Sequence, residues 1–153
     1  MNHKEHEGAQ REKTTMNQIK KPSRPFEPIP PDVEAIGKKV LDAAYTVHTD
    51  LGPGLLESVY EACLAYELRK QNLNIETQAV VPVKYQDVFV ETGLRLDLWV
   101  EKSVIVELKA VETMHPLYDA QLLTYLKITG CRLGFLINFN VKRLKEGVKR
   151  MVL

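Results

Sequence analysis

Val33, Ile36, Val40, Leu41, Ala44, Val47 and Leu51 recur every three to four residues, the spacing of one buried helix face. They predict a helix over 33–50, with Asp32 as its N-cap. Gly52-Pro53-Gly54 breaks the pattern sharply. A second helix is expected over 55–71, with Val59, Tyr60, Cys63, Leu64 and Leu68 facing inward. After the polar turn Gln71-Asn72-Leu73-Asn74, residues 75–85 read as a strand, and Pro82 within it calls for an edge position or a bulge. Gln86-Asp87 then turns the chain into a short strand over 88–90, and Thr92-Gly93 leads onward. Two apolar runs flank Glu101-Lys102-Ser103, the signature of a hairpin with a three-residue loop. Residues 117–128 return to helical spacing, and Gly130 is placed to end that helix. The apolar run 133–137 reads as a buried strand, and 141–153 as a short helix or loop followed by a final strand. The predicted order is ααβββ(β)αβ(β), an α/β or α+β mixed sheet flanked by helices. The strand after the third helix is expected to run parallel to the second hairpin strand through a right-handed crossover.

The hairpin carries the chemistry. With a three-residue loop Val100 faces Val104, and counting back sets Asp97 opposite Glu107. Alternation then puts Asp97, Glu107 and Lys109 on one face, and Leu96, Leu98, Val100, Val104, Val106 and Leu108 on the other. A one-residue slip would mix the two sets. Glu107 and Lys109 continue Val104-Ile105-Val106, which resembles a central strand covered on both faces. Charge there is costly unless it is paired or bound to metal. Two carboxylates on neighbouring strands suit Mg²⁺, which takes oxygen ligands from one or two carboxylates, waters and phosphates. A lysine beside them can orient or deprotonate a water, or neutralise charge on a phosphate.

Three other positions converge on this stretch. Gln121 and Tyr125 lie four apart, on one face of the predicted third helix. They suit a metal-bound water or a phosphate, or equally the packing of helix on sheet. Glu57 falls in the first turn of the second helix, where an acid complements the helix dipole or serves as a further ligand. His48, near the end of the first helix, is expected to be a packing or capping residue.

Composition narrows the alternatives. The chain has 153 residues, enough for one domain with a sizeable core, and its 44% hydrophobic and 27% charged residues are those of a globular protein. Residues 1–31 are polar and hold five of the eight prolines; they read as an extended or disordered leader before a domain over 32–153. Neither a secretory h-region nor a membrane-spanning run is expected, which points to the cytoplasm. Cys63 and Cys131 are isolated, too few for a zinc site, and suit a reducing compartment. The net charge of +1 argues against a strong nonspecific grip on nucleic acid. Lys142, Arg143, Lys145, Lys149 and Arg150 form one local basic cluster, and Lys13, Lys20, Lys21 and Arg24 another in the leader.

Taken together, Glu57, Asp97, Glu107, Lys109, Gln121 and Tyr125 resemble the motif set of the PD-(D/E)XK nuclease superfamily. The Gln-x-x-x-Tyr element resembles its RecB-like exonuclease branch. The chain is similar, more closely, to the small bacterial GxxExxR proteins over residues 33–153. Gly54-Leu55-Leu56-Glu57 carries the first half of that name motif, and Gln78, Ala120-Gln121, Tyr125-Leu126-Lys127 and Ile137-Asn138-Phe139 also fit. Tyr60 stands where the motif has arginine, so no role of that arginine carries over. The resemblance implies a restriction-endonuclease-like core and a Mg²⁺- or Mn²⁺-dependent nuclease acting on nucleic acid, DNA foremost. Asp97, Glu107, the Leu108 carbonyl and Glu57 would be the metal ligands. Lys109 would activate water, and Gln121 and Tyr125 would position it or the nucleic-acid backbone. The alternative is a catalytically silent binding or assembly module on the same fold. The oligomeric state is open.

Overall fold

The computed structural model describes residues 27–153. Helices α1 (Pro31–Leu51) and α2 (Glu57–Lys70) precede strands β1 (Ile75–Tyr85), β2 (Val88–Val100) and β3 (Val104–Lys109). Helix α3 (Pro116–Thr129) leads to β4 (Leu133–Asn138), a 3₁₀ turn at Leu144–Glu146, and β5 (Val148–Val152). The five strands form one sheet in sequence order, antiparallel except for the parallel β3–β4 pair. This is the mixed-sheet, helix-flanked architecture expected of a restriction-endonuclease-like core. No helix among the described residues is long and apolar enough to cross a membrane.

Two apolar layers hold the sheet. On one face Val40, Ala44 and Val47 of α1 and Tyr60, Leu64 and Leu68 of α2 pack on Leu98, Val100, Val104, Val106, Leu108, Phe135 and Ile137. On the other, Leu122 and Leu126 of α3 pack on Ala79, Val81, Leu94, Leu96, Ile105 and Leu136. Every residue of β3 except Lys109 is buried, as is all of β4, because these central strands are covered on both faces.

Four local expectations change. Helix α1 begins at Pro31, not Val33: proline at the first helical position has its φ preset and lacks an N–H that would go unpaired there. Asp32 therefore lies inside the first turn rather than capping it. Residues 88–100 form one strand, not two, because Thr92-Gly93 makes no turn. A Cβ on Gly93 would come within 2.3 Å of Val83 Cγ2, so this glycine marks a close approach of β1 to β2. It lies beside the register shift between Val81 and Val83, where Pro82 interrupts an edge strand. Val59 is exposed, since the buried stripe of α2 runs through Tyr60, Leu64, Ala65 and Leu68. Leu96 packs on the α3 side while Leu98 packs on the α1–α2 side, so strand alternation breaks at Asp97.

Before α1, Ile29 is buried in the core, and Arg132 donates to the Glu27 and Pro28 carbonyls. Lys13, Lys20, Lys21 and Arg24 of the leader lie outside the described residues.

Candidate functional site

The β2–β3 ladder pairs Val100 with Val104, Trp99 with Ile105 and Leu98 with Val106. Glu101 and Lys102 take left-handed φ values of 51° and 49° to close the loop. Beyond Leu98 the backbone pairing stops and side chains take over. The Leu108 N–H donates to Asp97 Oδ2 at 2.8 Å, and the Asp97 N–H donates to Glu107 Oε1 at 3.3 Å. Each carboxylate thus bonds the backbone of the opposite strand. The predicted register is the observed one, and it brings Asp97 against Glu107.

Glu107 is only 5% exposed. Burial, then the Asp97 charge and a carboxyl–carboxyl hydrogen bond with Asp97, push its pKa up to about 9. The Asp97 N–H and the Lys109 charge pull weakly the other way. Near neutral pH the metal-free protein therefore keeps a proton on Glu107.

Lys109 Nζ sits 4.3 Å from the ring centroid of Tyr118 on α3. Its charge acts on both Glu107 and Glu57. Glu57 is the first residue of α2 and half-buried. Its pKa is raised by burial, then by Asp97, against the pull of Lys109. Tyr60 fixes the turn that presents it: the hydroxyl donates to the Gly52 carbonyl at 2.6 Å and accepts the Leu55 N–H at 3.1 Å. On α3, Gln121 Nε2 donates to the Tyr125 hydroxyl at 2.7 Å. Burial, then the Glu107 charge, raises the Tyr125 pKa, and Asp97 adds to this. Elements α2, β2, β3 and α3 thus gather Glu57, Asp97, Glu107, Lys109 and Tyr125, with Gln121 held through Tyr125.

The gathered acids do not form a closed cage. No group of three His, Cys, Asp or Glu side chains among the described residues is arranged to hold a metal ion unaided. Leu108 contributes its N–H to Asp97 and its side chain to the core.

Sequence reasoning missed two neighbours, Glu61 and Tyr118, and gave Gln78 no role. Glu61 lies one helical turn beyond Glu57, a spacing that was available as a signal. Gln78, marked in the sequence only by the family resemblance, donates to Glu61 and Asp97. Tyr118, under Lys109, would follow only from knowing where α3 starts. His48 is a buried packing residue: Nε2 lies 2.8 Å from the Val141 carbonyl, which can only accept, so Nε2 carries the proton. The C-terminal basic cluster is divided. Lys149 pairs with Asp119 and Arg150 with Glu34, while Lys142, Arg143 and Lys145 are exposed.

No curated protein and no solved structure matches this chain. The sequence model of the PD-(D/E)XK nuclease superfamily matches residues 34–151, from the first turn of α1 to the last strand. That span contains most of α1, all of α2 and α3, the hairpin and the Gln121–Tyr125 pair, and the chain belongs to the PD-(D/E)XK nuclease superfamily.

Proposed function

We propose that the protein is a divalent-metal-dependent nuclease that hydrolyses phosphodiester bonds in DNA, within the GxxExxR group and its RecB-like relatives. The observation that carries this reading is the hydrogen-bonded Asp97–Glu107 pair, with Glu107 buried and Asp97 partly exposed, and Lys109 two residues beyond Glu107. The donor set suits Mg²⁺ or Mn²⁺: hard oxygens, two adjacent carboxylates, and room for waters and substrate phosphates in place of further side chains. When bound, the ion polarises the phosphoryl group and lowers the pKa of a coordinated water.

The chain's own groups divide the remaining work. Asp97 and Glu107 hold the ion, and Glu107 gives up its proton to do so. The Leu108 carbonyl and Glu57, directly or through water, complete the shell. Lys109 orients or deprotonates the attacking water and offsets charge growing on the phosphate. Tyr125, steadied by Gln121, donates to that water or to a backbone phosphate. Both cysteines are free thiols, which suits the bacterial cytoplasm.

A second reading, a silent binding module on the nuclease fold, is favoured by one observation: the acids form no closed cage by themselves. One comparison separates the two. Purified protein, Lys109→Ala and Asp97→Ala are incubated with linear, nicked and single-stranded DNA and with RNA, in Mg²⁺ or Mn²⁺. Divalent-dependent cleavage of DNA, abolished by both substitutions, is expected. Cleavage persisting in both variants would refute the site. Metal binding without cleavage of any substrate would favour the module.

A further inference from the structure

Gln78 lies in the middle of β1 with a φ of 51°. That left-handed value is uncommon for a residue with a side chain, and in a strand interior it breaks the alternation of faces. The break is visible on both strands. Ile75 packs with the α1–α2 layer and Ala79 with the α3 layer; on β2, Leu98 and Leu96 divide the same way. Pairing runs from Thr77–Leu98 to Ala79–Leu96, with Gln78 and Asp97 left unpaired between.

The strain coincides with a specific contact. Gln78 Nε2 is 2.7 Å from Glu61 Oε2 on α2 and 3.4 Å from Asp97 Oδ1 on β2. A primary amide has two N–H donors, and both partners only accept, so one hydrogen serves each carboxylate. The other Asp97 oxygen, Oδ2, is taken by the Leu108 N–H. The Asp97 carboxylate is therefore gripped from both sides. A lysine or arginine in place of Gln78 would also bridge two acids, but its charge would compete with a cation. The amide orients Asp97 without adding charge.

We propose that Gln78, anchored by Glu61, is a positioning residue that sets the Asp97 carboxylate for a divalent cation; this rests on the metal reading above. Outer contacts of this kind typically alter metal affinity 10- to 100-fold. Two variants separate the amide from the backbone. Gln78→Gly keeps the left-handed φ without strain and removes both donors. Gln78→Glu keeps the shape and replaces the donors with an acceptor.

The test is a Mn²⁺ titration of the full chain followed by melting temperature, since an ion that binds only the folded protein raises it. Asp97→Ala serves as the metal-blind control. The expected result is a metal-free melting point for Gln78→Gly close to that of the parent, with Mn²⁺ affinity weakened about tenfold. Gln78→Glu should weaken it at least as much. Parental Mn²⁺ affinity in both variants, with the shift lost in Asp97→Ala, would overturn this inference alone. No Mn²⁺ shift in the parent, or one that survives Asp97→Ala, would overturn the metal reading and this inference with it.

Discussion

Asp97 and Glu107 replace the backbone rungs at the end of the β2–β3 ladder with their own carboxyl groups, each holding a main-chain N–H of the other's strand. The acid pair is thus part of the sheet as well as the proposed site. Its protonation state is a term in the stability of the metal-free fold.

The first prediction follows from the raised pKa of Glu107. The folded protein holds this proton up to about pH 9, whereas an ordinary glutamate releases it near 4.5. Below 4.5 both states are protonated and the contribution is complete. Between 4.5 and 9 the unfolded chain has lost the proton and the folded one has not, so stability falls as pH rises. Urea titrations of metal-free protein should show this decline from pH 5 to 9. Glu107→Gln, which keeps a hydrogen-bonding side chain but cannot titrate, should show a flatter profile. An equal slope in both proteins would contradict the assignment.

Metal binding should expel that same proton. Mn²⁺ affinity is then expected to rise about tenfold per pH unit between pH 6 and 8, with close to one proton released per ion. Calorimetry in two buffers of different ionisation enthalpy reads the proton count. A count near zero would mean that the ion does not meet Glu107.

Tyr60 stacks on Phe139 with ring centroids 4.6 Å apart, while its hydroxyl ties Gly52 to Leu55. Tyr60→Phe keeps the stacking and removes the tie. A loss of about 1–2 kcal/mol in unfolding free energy is expected from the two lost hydrogen bonds. Mn²⁺ affinity should fall as well, because the turn that presents Glu57 is freed. Unchanged stability by urea denaturation would show that the turn holds without the hydroxyl.

The hairpin was legible from sequence because a three-residue loop and two-residue alternation leave one register that separates charged from apolar positions. The same counting misplaced Leu96. It assumes unbroken alternation, and the break at Asp97 depends on a left-handed Gln78 on a different strand. Pro82 announced an edge or a bulge, since a missing N–H is tolerated only there, and the structure has both. Gly93 misled for the opposite reason: a glycine that admits a neighbouring strand is indistinguishable in sequence from one that makes a turn. Gln121 and Tyr125 were visible as a pair through helical spacing, but their approach to the acids depends on how α3 lies across β3 and β4. Glu61, and a role for Gln78, became evident only once α2 and β1 were set side by side.

The most direct test of the central claim separates holding the ion from using it. Mn²⁺ binding by calorimetry and cleavage of linear DNA are measured side by side for the parent, Asp97→Ala, Glu107→Ala and Lys109→Met. The account predicts that the two acid variants lose both binding and cleavage, and that Lys109→Met binds Mn²⁺ like the parent but does not cleave. Parental Mn²⁺ binding in Asp97→Ala and Glu107→Ala, or full cleavage by Lys109→Met, would contradict it.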